Sequence, residues 1–90
     1  MFVKKNILIT GCSRGIGKSL VEKFLLQGAN LICCVRKNSN DFKNFIKKNK
    51  NSSNVLQILE FDLKDEEEMK KSIKFIYENK INIDILINNA

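Results

Sequence analysis

The sequence predicts an α/β fold: a parallel sheet with helices on both faces. Three observations carry this. Four short apolar runs, at residues 6–10, 31–35, 55–61 and 83–87, have the length and the Ile, Leu and Val content of strands. The stretches between them place apolar residues at helical spacing, which gives the order β-α-β-α-β-α-β. A glycine-rich turn joins the first strand to the first helix.

The first strand starts at Asn6 or Ile7 and runs to Thr10. The first helix covers about residues 14–27, with Ile16, Leu20, Val21, Phe24 and Leu25 on one face and Gly28 as its C-terminal stop. Residues 31–35 read Leu-Ile-Cys-Cys-Val, an unbroken apolar run suited to a strand buried on both faces. Ser39, Asn40 and Asp41 are N-cap candidates for a second helix carrying Phe42, Phe45 and Ile46. Residues 49–54 form a polar loop before the third strand at 55–61. Asp65 can cap a third helix. Glu66, Glu67 and Glu68 occupy its first turn, Lys70, Lys71 and Lys74 follow, and Lys80 stands just beyond, an order that complements the helix dipole. Met69, Ile73 and Ile76 mark its buried stripe, and Tyr77 is assigned to packing on the same helix. With right-handed crossovers the alternation makes half of a Rossmann-type fold, one domain over residues 1–90.

At 43% hydrophobic and 29% charged residues, the 90-residue chain is globular rather than disordered. No segment approaches the roughly 20 apolar residues of a membrane span. The first residues lead straight into a strand, so a signal peptide is not expected; with no spanning segment, neither is a membrane partner. Cys12, Cys33 and Cys34 are odd in number with two adjacent, which fits neither a zinc spacing nor a disulfide framework; a reducing cytoplasm is expected. Histidine is absent, and with it any histidine base or metal ligand. The net charge of +6 fits an anionic partner or a solvated lysine-rich surface. Apart from Lys47-Lys48-Asn49-Lys50 the lysines are scattered, and no basic stretch is interleaved with aromatics. The solvated surface is therefore the reading, without nucleic acid as partner.

The chemistry concentrates at Thr10-Gly11-Cys12-Ser13-Arg14-Gly15-Ile16-Gly17. Between a strand and a helix, such a turn gathers backbone N–H groups and a helix N-terminus at one point, which attracts phosphate. The spacing G-x-x-x-G-x-G differs from G-x-G-x-x-G. It also differs from the P-loop G-x-x-x-x-G-K-[ST]: Gly17-Lys18-Ser19 supplies the end of that motif, but Cys12 stands where its first glycine is required.

This turn resembles the T-G-x-x-x-G-I-G signature of the short-chain dehydrogenases/reductases. Three further features agree in order. Arg36 follows the second strand, Asp62-Leu63 follows the third, and Asp84-Ile85-Leu86-Ile87-Asn88-Asn89-Ala90 is similar to the family's D-x-L-[VI]-N-N-A-G. The Ser13-Arg14 pair is similar to the turn of the 3-oxoacyl-[acyl carrier protein] reductases within the family. The resemblance implies strand order 3-2-1-4 and a cofactor-binding set of Gly11, Cys12, Ser13, Arg14, Gly15, Ile16, Gly17, Arg36, Asp62, Leu63, Asn89 and Ala90.

Gly11 allows the sharp turn, while Gly15 and Gly17 let the backbone approach a pyrophosphate and the helix approach the sheet. Ser13 can offer its hydroxyl and N–H to a ribose or phosphate oxygen. Thr10 can hydrogen-bond across to the end of the fourth strand. Residues 33–37 contain no acid to bind a ribose 2′-hydroxyl. Arg14 and Arg36, the two arginines of the chain, would instead fork onto a 2′-phosphate, so the resemblance implies NADP(H) in preference to NAD(H). The alternative is a pair of exposed arginines. Asp62 and Leu63 correspond to the family's adenine contacts, Asn88 to its sheet-stabilising asparagine and Asn89 to a residue near the nicotinamide half. Asp62 also fits a simple turn, and the two roles are compatible. The cysteines fill small volumes, with Cys12 expected to be partly exposed on the turn.

The family's chemistry uses a Ser and a Tyr-x-x-x-Lys pair located after N-N-A-G. Tyr77, the one tyrosine, is followed four residues on by Ile81, so no catalytic residue and no metal ligand are assigned. The resemblance thus implies the N-terminal cofactor-binding part of a reductase well over twice as long, inactive alone. The alternative is a non-catalytic nucleotide-binding module completed by a partner chain. A homo-oligomer is expected at full length, and self-association or aggregation of the isolated 90 residues through an apolar fourth strand at the sheet edge.

Overall fold

A computed structural model describes residues 2–13 and 15–89. Four strands, β1 (Asn6–Ile9), β2 (Asn30–Val35), β3 (Val55–Glu60) and β4 (Ile85–Ile87), alternate with three helices, α1 (Gly15–Leu26), α2 (Asn40–Lys48) and α3 (Glu66–Glu78). A single 3-10 turn, Ser52–Asn54, lies in the polar loop before β3. All pairings are parallel and the sheet order is β3-β2-β1-β4, the order implied by the resemblance.

The strand alternation builds two cores. On one face Ile7 and Ile9 of β1 and Leu31, Cys33 and Val35 of β2 meet Val21 and Leu25 of α1 and Phe42 and Ile46 of α2. On the other, Ile32, Cys34, Leu59 and Phe61 meet Met69, Phe75 and Ile76 of α3. β2 contributes to both, which is why its sequence is apolar without a break.

The ends of the elements follow local chemistry. Ser39 is the cap of α2, its hydroxyl accepting from the Phe42 N–H at 3.2 Å. The Asp65 carboxylate accepts from the N–H groups of Glu67 and Glu68 at the start of α3. Gly28, at φ +79°, closes α1. Lys80 closes α3 in the same left-handed conformation, φ +53°, with its N–H on the Tyr77 carbonyl and the Ile81 N–H on that of Ile76.

Several expectations require correction. β1 ends at Ile9, because Thr10 already turns toward the glycines. β4 begins at Ile85 rather than residue 83: Asp84 is taken up by Asn6, whose N–H it accepts and whose carbonyl it binds, both at 2.8 Å. Ile16 is exposed, since the first turn of α1 overhangs the open end of the sheet. Ile73 is exposed as well, because the inward arc of α3 runs through Met69, Ser72, Phe75 and Ile76, and Ile73 falls beyond its edge. Tyr77 does not pack; it is 83% exposed.

Candidate functional site

The C-terminal ends of β1, β2 and β3 open into a cleft of about 480 Å³. In a parallel α/β sheet this is the end at which ligands bind. Gly11 and Ser13 supply one wall, Arg36 and Asp62 with Leu63 and Lys64 the opposite one, and Asn89 closes the side toward β4.

The glycine turn is fixed from several directions. Gly11 (φ +65°) and Gly15 (φ +60°) hold left-handed conformations. A Cβ on Gly17 would lie inside the Gly11 carbonyl oxygen and 2.8 Å from Asn89 Nδ2, so this glycine lets α1 close against the turn. A Cβ on Gly15 would meet nothing within 4 Å among the described residues beyond its chain neighbours, which leaves the approach to the backbone there open. The Thr10 hydroxyl donates to Asn88 Oδ1 (3.1 Å) and accepts the Asn89 N–H (2.9 Å), and Asn89 Nδ2 donates to the Gly11 carbonyl (3.4 Å). The expected reach of Thr10 across to the fourth strand is therefore present.

Cys12 departs from expectation. It is fully buried rather than partly exposed. Its N–H bonds the Cys34 carbonyl at 3.2 Å, and its thiol donates to the Ile9 carbonyl at 2.9 Å, stapling the turn to the strand ends. A hydrogen bond with Cys12, added to by burial, pushes the Cys33 thiol far up from its ordinary range, and burial pushes Cys34 up to about 12. Such thiols stay protonated and unreactive at neutral pH.

Arg36 is 82% exposed in its side chain, and its Nε lies 3.6 Å from Asp62 Oδ2 across the mouth of the cleft. Asp62 Oδ1 accepts the Lys64 N–H at 2.9 Å, so the turn role and the cleft position of Asp62 coexist. Glu60, paired in register with Val35 at the end of β2, has its carboxylate occupied: it accepts the Asn38 N–H at 2.7 Å. Asn38 Oδ1 is buried with no hydrogen-bond partner among the described residues, an open polar valence two residues beyond Arg36.

Of the residues assigned from sequence, Gly11, Ser13, Arg36, Asp62, Leu63 and Asn89 line the cleft. Gly15, Ile16 and Gly17 form the first turn of α1 beside it, and Cys12 lies beneath. Arg14 and Ala90 lie outside the described residues. Thr10, Cys34, Val35, Phe61 and Lys64 also line the cleft and were outside the set assigned from sequence. The signal for Lys64 was its place two residues after Asp62, where an Asx-type turn brings it back to the strand end.

A model of the short chain dehydrogenase family matches residues 5–90. The chain is 36% identical over 85 residues to an NADPH-dependent 3-dehydrocapnine reductase of Ornithobacterium rhinotracheale, an alignment covering 92% of this chain and 29% of that protein. It is 34% identical over 87 residues to a 3-oxoacyl-[acyl-carrier-protein] reductase of Buchnera aphidicola subsp. Baizongia pistaciae, covering 97% of this chain and 34% of that one. Among solved structures, a 4-hydroxyisoleucine dehydrogenase complexed with NADH superimposes with a TM-score of 0.81 at 28% identity, over 97% of this chain and 34% of that one. The chain thus spans about a third of the length of the proteins it matches.

Proposed function

The chain belongs to the short-chain dehydrogenase/reductase family, whose members bind nicotinamide dinucleotides, and on that premise we propose that residues 1–90 are the NADP(H)-binding part of a reductase acting on a carbonyl or alcohol substrate. The observation that carries the reading is the cleft itself. A turn with two left-handed glycines and the first turn of α1 face a wall that carries the cations Arg36 and Lys64 and from which Glu60 is diverted.

The residues fit a dinucleotide. The open space above Gly15 admits a pyrophosphate against backbone N–H groups and the α1 N-terminus. Ser13 offers a hydroxyl to the same region, and Asn89 faces the nicotinamide side. Asp62 and Leu63 stand where an adenine would be held. Arg36 would lie beside the corresponding ribose, Asn38, whose Oδ1 has no hydrogen-bond partner among the described residues, follows in the loop, and Arg14 completes the proposed set. When bound, NADP(H) supplies or accepts the hydride. This part of the chain binds and orients it; in the proposed enzyme, proton transfer belongs to Ser and Tyr-x-x-x-Lys residues beyond these 90. Tyr77, on the outer side of α3, is no substitute. The exposed Leu86 on the β4 edge supports self-association of the isolated part.

Fluorescence titration with NADPH and NADH tests the reading. The parent is expected to bind NADPH at least ~10-fold more tightly than NADH, a preference worth about 1.4 kcal/mol. Arg36→Ala is expected to remove most of that preference while changing NADH affinity less than about threefold, since its solvent-exposed pairing with Asp62 contributes little to stability. Equal affinity for the two dinucleotides in the parent would discard the NADP(H) preference. Binding of neither by a folded sample would discard the site.

A further inference from the structure

The formal charge is distributed unevenly over the fold. Residues 15–50, which form α1, β2 and α2, hold eight of the sixteen lysines and arginines but two of the ten acids. Residues 51–89 hold five cations and eight acids. Since α1 and α2 lie over one face of the sheet and α3 over the other, the cationic excess belongs to one side of the molecule. Scattered in sequence, these lysines are gathered by the fold.

On that side the C-terminal halves of α1 and α2 flank a groove of about 300 Å³. Leu26 and Phe45 give it an apolar lining, Lys48 and Lys50 a cationic rim, and Glu22 is its one acid. Lys18 adds a cation 4.7 Å from the Phe45 ring centre. Leu26, 64% exposed, is open to a partner. The Asn51 amide donates to the Leu25 carbonyl at 2.8 Å, tying the loop after α2 to α1 and fixing the wall that carries Lys50.

We propose that this groove docks an acidic amphipathic segment of a partner polypeptide. One apolar side chain would seat between Leu26 and Phe45, with carboxylates reaching Lys18, Lys48 and Lys50. An apolar anchor surrounded by complementary charge is the pattern in which a few residues dominate affinity while charge sets partner choice. Nucleic acid fits less well, because among the described lining residues Phe45 is the one aromatic ring, and successive bases have no series of rings on which to stack. A membrane fits less well because the apolar surface is a hollow rather than a ridge.

The test is fluorescence anisotropy with a labelled helix-forming peptide that carries two leucines at i and i+4 among glutamates. A charge-matched scramble with its leucines separated is the control. The designed peptide is expected to bind at least ~5-fold more tightly than the scramble. Leu26→Ser and Lys48→Glu, both at exposed positions, are each expected to weaken it at least ~5-fold without changing the circular dichroism spectrum. Three results would overturn the proposal: equal binding of the two peptides, no effect of either variant, or tighter binding to phosphatidylglycerol vesicles or single-stranded oligonucleotide than to the designed peptide. So would sedimentation showing that the variants abolish self-association, which would assign the groove to a second copy of this chain.

Discussion

Replacing Gly17 by alanine sets two opposing effects against each other, and the structure gives their order. Gly17 lies in the first turn of α1, where alanine in place of glycine raises helix propensity by about 1 kcal/mol. Against this, the new methyl would overlap the Gly11 carbonyl oxygen and stand 2.8 Å from both the Gly11 carbonyl carbon and Asn89 Nδ2. Ordinary contact begins near 3.4 Å, and the overlapped carbonyl oxygen sets the movement: the helix must retreat from the turn by more than roughly 1 Å. Two of the three crowded atoms are backbone and cannot swing aside. Overpacking of this kind costs about 1–3 kcal/mol or more, and the movement strains the Thr10–Asn89–Gly11 contacts. Gly17→Ala is therefore expected to lower stability by a net ~1–2 kcal/mol in urea denaturation. NADPH affinity is expected to fall at least ~10-fold, because a misplaced phosphate cradle loses its directed N–H groups. Gly15→Ala is the control. Its Cβ would meet open space, but φ of +60° imposes a backbone cost of about 1–2 kcal/mol. Gly15→Asn, which tolerates that conformation better, should recover part of the loss, whereas no residue with a Cβ should do so at position 17. A Gly17→Ala chain as stable as the parent, with unchanged NADPH binding, would refute the close-approach argument.

The remaining predictions concern stability. Asp65→Ala leaves the N–H groups of Glu67 and Glu68 without their cap and should cost about 1 kcal/mol, read as a lower denaturation midpoint. Lys80→Gly relieves a left-handed lysine at the end of α3 and should stabilise by up to about 1 kcal/mol, raising the same midpoint. Cys34 is held protonated by burial up to about 12, against 9.0 for an ordinary thiol. The folded chain therefore retains a proton that the unfolded chain releases. This contribution is fully present below about pH 9 and is lost as pH rises toward 12, at up to about 1.4 kcal/mol per pH unit. Stability measured by urea denaturation between about pH 8 and 10.5 should consequently fall more steeply with rising pH for the parent than for Cys34→Val, and identical slopes would contradict the burial argument.

Much of this architecture was readable because local signals agreed with one another. Ser39, Asp65 and Gly28 each terminate a helix through chemistry confined to a few residues, and the structure uses all three in that way. The unbroken run at 31–35 placed β2 in the sheet interior, because only a strand covered on both sides can be apolar throughout. The errors arose where tertiary geometry decides. Helical spacing could not say which flank of α3 faces the sheet: Ile73 and Phe75 are both apolar, and only the docking angle selects Phe75. Ile16 has the right period but stands in the first turn of α1, past the end of β1, and stays exposed. Cys12 looked exposed because turns usually are, yet its thiol turns inward to the Ile9 carbonyl. Lys64 escaped notice because lysines are abundant here and its position depends on how the chain leaves β3.

The cradle and the far end of the sheet cannot be treated as separate parts. β4 has three residues, too few for its ladder alone to hold it against β1. It is clamped at both ends by side chains nearly eighty residues away in sequence. At its start the Asp84 carboxylate and N–H close a pair with Asn6. At its finish Thr10 bonds both Asn88 and Asn89, and Asn89 returns to the Gly11 carbonyl. Each such bond contributes about 1 kcal/mol, so the network rivals the strand pairing it supports. Because Gly11 belongs to the glycine turn, loss of β4 frees the turn, and distortion of the turn loosens β4. A dinucleotide that binds only the assembled turn must therefore stabilise β4 by the same free energy that β4 lends to binding. In the proposed site, Thr10 and Asn89 would accordingly serve folding and dinucleotide binding through one set of contacts.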